Sequence, residues 1–394
     1  MKTSPSKQEL LARIQNLHSM LSAQGANWDA AIVVDRVNQF YLTDTMQDGL
    51  FFLMPDGSYA YFVRKSFERA CEESSLDNIF PMSGYKDAFA KIGSIDVGFI
   101  ETEIMPVAML NRIQKYFGLQ DIKPLDAILK NLRSVKSAYE LSVMEESGRK
   151  HKHFLEQVIP EILRESISEA QLTAQSYARM VDLGYQGVCR FTMFQAELVI
   201  GQLGFGESSL YPFSFDGPGG SRGLCNAVQT MGSAERLLKK GDLVFVDVGF
   251  GIGGYHTDRT QVYLFGGKPS AELVQAHQTC LEVQKKAAAM LVPGAIPEEI
   301  YQKALLGLSP EFLQNFMGYP KPVKFLGHGV GLYVDEYPVI APDFTTPLKE
   351  NMTIALEPKK GIAGLGMVGV EDTYVVTKNG GRCITGGERE IMEI

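Results

Sequence analysis

The chain has 394 residues, a net charge of −8, 45% apolar and 21% charged residues, which is a globular composition too long for one ordinary core. It carries no basic footprint for nucleic acid and no apolar run near the roughly 20 residues of a membrane span. Five scattered cysteines without a CxxC pair exclude a zinc knuckle or a disulfide framework and point to a reducing cytoplasm. The first residues, MKTSPSKQELLARI, contain no apolar signal core.

Taken in order, Leu10, Ile14, Leu17 and Leu21 form the stripe of an opening helix that stops near Gly25. His18 lies beside that stripe and reads as a boundary residue. Ala30–Val34 is a strand, and Pro55-Asp56-Gly57-Ser58 turns Gly49–Met54 into Tyr59–Val63 as a hairpin. A helix over Phe67–Ser74 and a strand at Val97–Ile100 complete an α/β unit, residues 1–133. It holds no phosphate loop and no ligand cluster.

A boundary falls near Leu132–Lys136, and residues 134–394 form the second unit. Ser137 and Glu140 are spaced as a capping box that opens a long helical stretch, which Gly148 interrupts. His151 and His153 are two apart among Arg149, Lys150 and Lys152, a pattern that predicts a solvated polar patch. A helix over Glu169–Leu183 ends at Gly184. Leu203–Gly223, rich in glycine and proline with Tyr211, Phe213 and Phe215, reads as a loop able to line a pocket.

The chemistry begins at Leu243–Val248, a buried strand that returns at Gln261–Phe265. A turn centred on Ile252-Gly253 places Asp247 directly opposite Asp258, roughly 4.5–5.5 Å apart at Cβ. Two carboxylates so placed repel unless a cation lies between them. Ala271–Leu291 is helical, with His277 structural. His328 follows between two glycines in FLGHGVGL. Thr353–Glu357 is a strand stopped by Pro358, and a glycine-rich return brings Glu371 near Glu357. Asp247, Asp258, His328, Glu357 and Glu371 thus offer four carboxylates and one imidazole, a donor set for manganese, iron, cobalt or zinc. Two such ions, roughly 3.5–4 Å apart, can activate a bridging water and polarise a carbonyl.

The set DVG…D, GHGVGL, ALEP and VED resembles the pita-bread metallopeptidases: methionine aminopeptidase, aminopeptidase P and prolidase, with creatinase a metal-free relative. The eleven-residue step from Asp247 to Asp258, joined to GHG and both glutamates, is the specific part. The resemblance covers most of the chain and implies an α/β (α+β) fold, with a creatinase-type amino-terminal domain before a pita-bread catalytic domain. It implies two divalent ions (Mn, Co, Fe or Zn). Asp247 would hold one ion alone, Asp258 and Glu371 would bridge, and His328 and Glu357 would hold the second. Glu357 would also accept the proton of the nucleophilic water. It further implies a homodimer acting on short peptides of the Xaa-Pro type.

Three positions depart from that pattern. The family reads His-Glu after GHG, where this chain has Asp335-Glu336, so Asp335 is a candidate acid or base. Counting back from Asp247 to the family's second histidine lands on Gln229. His256, two residues before Asp258 and on its face of the strand, is a candidate stand-in imidazole at the substrate. The arginine two before the last glutamate is here Gly369. Two alternatives stand beside the peptidase: a metal-dependent hydrolase or lyase of a small amide or carboxylate metabolite, and a binding protein without turnover.

Overall fold

The computed structural model describes residues 4–25, 27–387 and 389–394. Packing divides the chain into two compact units, Met1–Arg133 and Ser134–Ile394. Among the described residues no helix is long and apolar enough to cross a membrane.

The first unit is built on six strands: β1 (Ala30–Val33), β2 (Gly49–Leu53), β3 (Tyr59–Val63), β4 (Ile79–Pro81), β5 (Val97–Ile100) and β6 (Asp121–Pro124). They lie in the order β4-β3-β2-β1-β5-β6. The Asp-Gly hairpin forms as its sequence predicts, with Leu53 opposite Tyr59. Leu10, Ile14, Leu17 and Leu21 are all buried on the helix Lys7–Ser22.

The second unit carries β7 (Gly201–Phe205), β8 (Leu243–Ile252), β9 (Tyr255–Leu264), β10 (Gly327–Gly329), β11 (Glu336–Ile340) and β12 (Thr353–Leu356). These are followed by β13 (Lys359–Ile362), β14 (Gly366–Gly369), β15 (Asp372–Thr377), β16 (Gly380–Cys383) and β17 (Met392–Glu393). One sheet runs β17-β9-β8-β7, a second runs β11-β10-β12-β15-β16, and β13-β14 is a separate hairpin. A bridge between Thr260 and Glu371 ties the first sheet to the residue that leads into β15.

Four readings of the sequence are corrected here. The β8–β9 hairpin turns at Gly253-Gly254, one residue later than predicted, because both glycines take positive φ (55° and 94°). Asp247 therefore faces Thr260, and Asp258 faces Gly249. The shift in partner is two residues, so the pleat keeps both carboxylates on one face as diagonal neighbours. The segment predicted as loop begins with a true strand: β7 pairs with β8, Gln202 opposite Asp247. Its Gly201 permits that pairing, since a Cβ there would lie 2.0 Å from the carbonyl oxygen of Asp247.

The capping box of Ser137 and Glu140 starts the helix Ala138–His153, and Gly148 does not interrupt it. A π-turn over Phe154–Val158 and a last turn to Ile162 continue the same stretch. His151 is not solvated. It is fully buried, stacked 5.8 Å from Phe250 and 3.2 Å from Thr257 Oγ1. Burial holds its pKa well below the usual value, so it is a neutral core residue. The surrounding basic residues misled the pattern because only one helical face turns inward. His153 does face solvent.

Gly148 is instead a point of close approach, where a Cβ would lie 2.1 Å from the carbonyl oxygen of Ile384. Helix propensity alone favours alanine over glycine by about 1 kcal/mol. Gly148→Ala should nevertheless destabilise the protein by about 1–3 kcal/mol through overpacking, read as a lower denaturant midpoint. A raised midpoint would show that the contact yields.

Candidate metal centre

Each candidate ligand is delivered by a strand or a strand end. Asp247 and Asp258 project from the same face of the β8–β9 hairpin. His328 is the middle residue of β10, between β11 and β12. Its flanking glycines serve that close pairing: a Cβ on Gly327 would meet Ala355 O at 2.2 Å, and one on Gly329 would meet Tyr337 O at 2.4 Å. Glu357 follows β12 and Glu371 precedes β15, joined by the β13–β14 hairpin.

These five residues converge, forming two overlapping groups with ligand spacing: Asp258, His328 and Glu371, and Asp247, Glu357 and Glu371. His328 Nε2 lies 3.2 Å from Glu357 Oε1, 3.7 Å from Glu371 Oε1 and 4.0 Å from Asp258 Oδ2. Its Nδ1 is 3.1 Å from the carbonyl oxygen of Gly329. That contact places a proton on Nδ1, so Nε2, which meets Glu357 Oε1, is the nitrogen that would turn to an ion on losing its own proton. Thr260 Oγ1 donates to Glu371 Oε2 at 3.0 Å, and Thr373 Oγ1 takes the Asp258 amide at 2.9 Å. Glu371 Oε1 is buried and accepts no hydrogen bond. An orphaned carboxylate oxygen beside an imidazole and a second carboxylate fits a divalent ion on the Asp258, His328 and Glu371 side.

The other group already holds a cation. The ammonium of Lys359, on β13 with a fully buried side chain, donates to Asp247 Oδ2 at 2.9 Å, Glu357 Oε2 at 2.8 Å and Glu371 Oε2 at 2.8 Å. Sequence reasoning missed it, because Lys359 falls just after Pro358 in the glycine-rich return. Only the alternation of a strand, Lys359 inward and Lys360 towards Phe312 and the surface, marks it out.

Charge and burial set the protonation of these groups. Burial raises Asp247 to about 7 against the pull of Lys359, and burial with the charges of Glu371 and Asp247 raises Asp258 well above the usual carboxylate value. Burial also opposes ionisation of Glu357, but Lys359 and His328 hold its pKa below the ordinary value. For His328 burial pulls downward, yet the hydrogen bond and charge of Glu357, then Glu371 and Asp258, push it up to about 10. The cluster is starved of positive charge.

A cavity of about 40 Å³ lies over the cluster, lined by Gln202, Phe215, Asp216 and Gly217 besides the ligands. A larger cleft of about 510 Å³ shares Phe215, Asp216 and Gly217 with it. The aromatic loop anticipated over residues 203–223 therefore does line the site. Gln202 is a site residue the sequence did not reveal: its Oε1 is buried without a partner, and only its register with Asp247 would have found it.

The remaining candidates lie elsewhere. His256 is fully buried with Nδ1 3.1 Å from Gly331 O and Nε2 2.9 Å from the Gln186 amide, and burial lowers its pKa to about 4. Gln229 is exposed, beside the Cys225–Val228 bridge, and does not line the cavity. Asp335 accepts from the Thr192 amide at 2.8 Å and from Thr192 Oγ1 at 2.7 Å. Burial raises its pKa, and the Thr192 amide, His328 and the Thr192 hydroxyl oppose the rise.

Residues 142–378 match the model of metallopeptidase family M24, and residues 13–135 match that of the creatinase/prolidase N-terminal domain. The chain is 25% identical to the Xaa-Pro dipeptidase of Pyrococcus furiosus over 366 residues, 92% of this chain and 95% of that protein. It is 26% identical to the putative dipeptidase YkvY of Bacillus subtilis over 398 residues, 96% and 99% of the two chains. In structure it is similar to the prolidase of Pyrococcus horikoshii OT3 (TM-score 0.78, 23% identity, 97% and 100% covered). It is also similar to dipeptidase PepE of Mycobacterium ulcerans (TM-score 0.80, 21% identity, 99% of each chain).

With both carboxylate oxygens on Thr192, Asp335 clasps the 185–200 segment. Asp335→Ala should speed proteolytic cleavage within that segment and lower stability by about 1 kcal/mol, the net worth of a hydrogen bond whose exposed Thr192 donors water can satisfy. Metal content should not change. Unaltered cleavage would show that the clasp holds nothing.

Proposed function

Because the chain belongs to metallopeptidase family M24, we propose that it hydrolyses short peptides of the Xaa-Pro type at the cluster of Asp247, Asp258, His328, Glu357 and Glu371. The observation that carries this reading is the convergence of four buried carboxylates and one imidazole at the end of an aromatic-lined cleft. Relatives named Xaa-Pro dipeptidase, matched over nearly their whole length, support it.

A divalent ion here, whether manganese, cobalt, iron or zinc, would supply Lewis acidity and an activated water. The resemblance implies two such ions, and the peptidase reading stands with one or two; Asp258, His328 and Glu371 would hold one of them. Glu357 is the proton acceptor, its Oε1 directed at His328 and its Oε2 held by Lys359. Gln202 Oε1 is an acceptor open to a substrate N–H. Phe213, Phe215 and Tyr319 line the cleft that receives the remainder of the peptide and exclude water from it. The scaffold roles of His256 and Asp335 leave them to orient the cavity wall rather than touch substrate. The reading carries with it a cytoplasmic homodimer, to which the free state of all five cysteines is suited.

A second reading draws on the narrowness of the cavity over the cluster, which suits a small amide or carboxylate metabolite better than a peptide. Protein loaded with manganese or cobalt should release proline from Xaa-Pro dipeptides, followed by mass spectrometry. Glu357→Gln should lower kcat by about 10²–10⁴, the usual worth of general-base assistance. Turnover confined to small amides would establish the second reading. No turnover on either panel would leave a binding protein. Light scattering should give the mass of a dimer.

A further inference from the structure

Lys359 begins β13, directly after Pro358, and its register partner on β14 is Gly369. That glycine makes room for it. A Cβ at 369 would lie 2.6 Å from Lys359 Cα, 3.2 Å from its Cγ and 2.4 Å from Pro358 O. The chain therefore places a lysine on one strand of this hairpin and removes the side chain facing it on the other. The lysine then runs inward, shielded completely from solvent.

Its ammonium has three N–H donors and meets three carboxylate oxygens at 2.8–2.9 Å, which uses its full capacity. Those oxygens belong to Asp247, Glu357 and Glu371, the three residues that form one of the two groups with ligand spacing. A divalent ion bound to the same trio would sit about 2.0–2.2 Å from each oxygen. Ion and ammonium need the same volume. Displacing the ammonium would leave a buried charge without its three partners, which is strongly unfavourable.

The opposite half of the cluster is in the reverse condition. Glu371 turns Oε2 to Lys359 and Thr260 and leaves Oε1 without a donor. Around Oε1 stand His328 Nε2 and Asp258 Oδ2. One half is saturated and the other is open.

We propose that Lys359 is a tethered cation standing in place of one of the two ions, so that the centre binds a single divalent ion on Asp258, His328 and Glu371. Lys359 is a positioning residue in this arrangement. It neutralises part of the carboxylate charge and fixes Asp247, Glu357 and Glu371 without entering the exchangeable metal pool. The inference rests on the metal-dependent reading of the cluster but not on the identity of the substrate.

Protein stripped with chelator and equilibrated with excess Mn²⁺, then desalted and assayed by elemental analysis, should hold one ion per chain. Lys359→Ala should rise toward two. A wild type with two ions or with none overturns the proposal, as does a variant that still holds one. Wild-type crystals soaked in Mn²⁺ decide the matter even if the variant does not fold. One anomalous peak beside Asp258, His328 and Glu371 supports it, and a peak bonded to Asp247 overturns it. One ion without peptide cleavage would remove the proposed substrate and leave this inference standing. Two ions with peptide cleavage would do the reverse.

Discussion

Four carboxylates buried at one point are the constraint on which the second unit depends. Asp247, Asp258, Glu357 and Glu371 are each nine per cent exposed or less, and a carboxylate removed from water without a counter-charge is among the costliest groups a protein can hold. Cations must meet them. One is supplied by the chain itself through Lys359, and the imidazole of His328 stands where a second positive charge is needed. The strands around the cluster are arranged to carry these groups inward while their other faces form the cores on either side.

Two hairpins divide that work. The β8–β9 hairpin is wide and regular, ten residues on each strand, and presents both aspartates from one pleated face. The short β13–β14 hairpin lies between Glu357 and Glu371 and sends Lys359 back toward the aspartates. Its return strand starts and ends in glycines with positive φ, so it can approach its partner where a Cβ would collide. Thr260 and Thr373 stitch the two regions together through Glu371 and the backbone of Asp258. Ligand orientation thus comes from strands rather than from loops, which suits a site that must hold like charges at fixed separation.

Around this rigid centre the walls are of a different kind. The segment after β7 contributes Phe213, Phe215 and Gly217, with ring contacts among Phe191, Phe213 and Phe215 at 4.9–5.4 Å. Asp335 holds the neighbouring segment through Thr192. Aromatic surface with few fixed polar groups selects by shape and leaves the chemistry to the cluster. The polar groups on these walls are the amide of Gln202 beside the cluster, Asp216 in both cavities, and Lys321 and Lys324 along the cleft.

The five residues that converge at the cluster and the two-unit order were legible in the sequence, because strands ended by glycine and proline announce themselves and because acids within apolar runs demand a reason. Placing Asp247 and Asp258 on one face survived an error of register, since a slip of two residues preserves the face and a slip of one would not. His151, Lys359 and Gln202 were not legible. Each is a polar residue whose burial depends on what packs over it from far along the chain: Phe250 and Thr257 over His151, Asp247 against Lys359, β8 against Gln202. Local pattern carries the period of an element and its breaks. Which cation stands among the four carboxylates is a matter of three-dimensional proximity, and only the folded chain decided it.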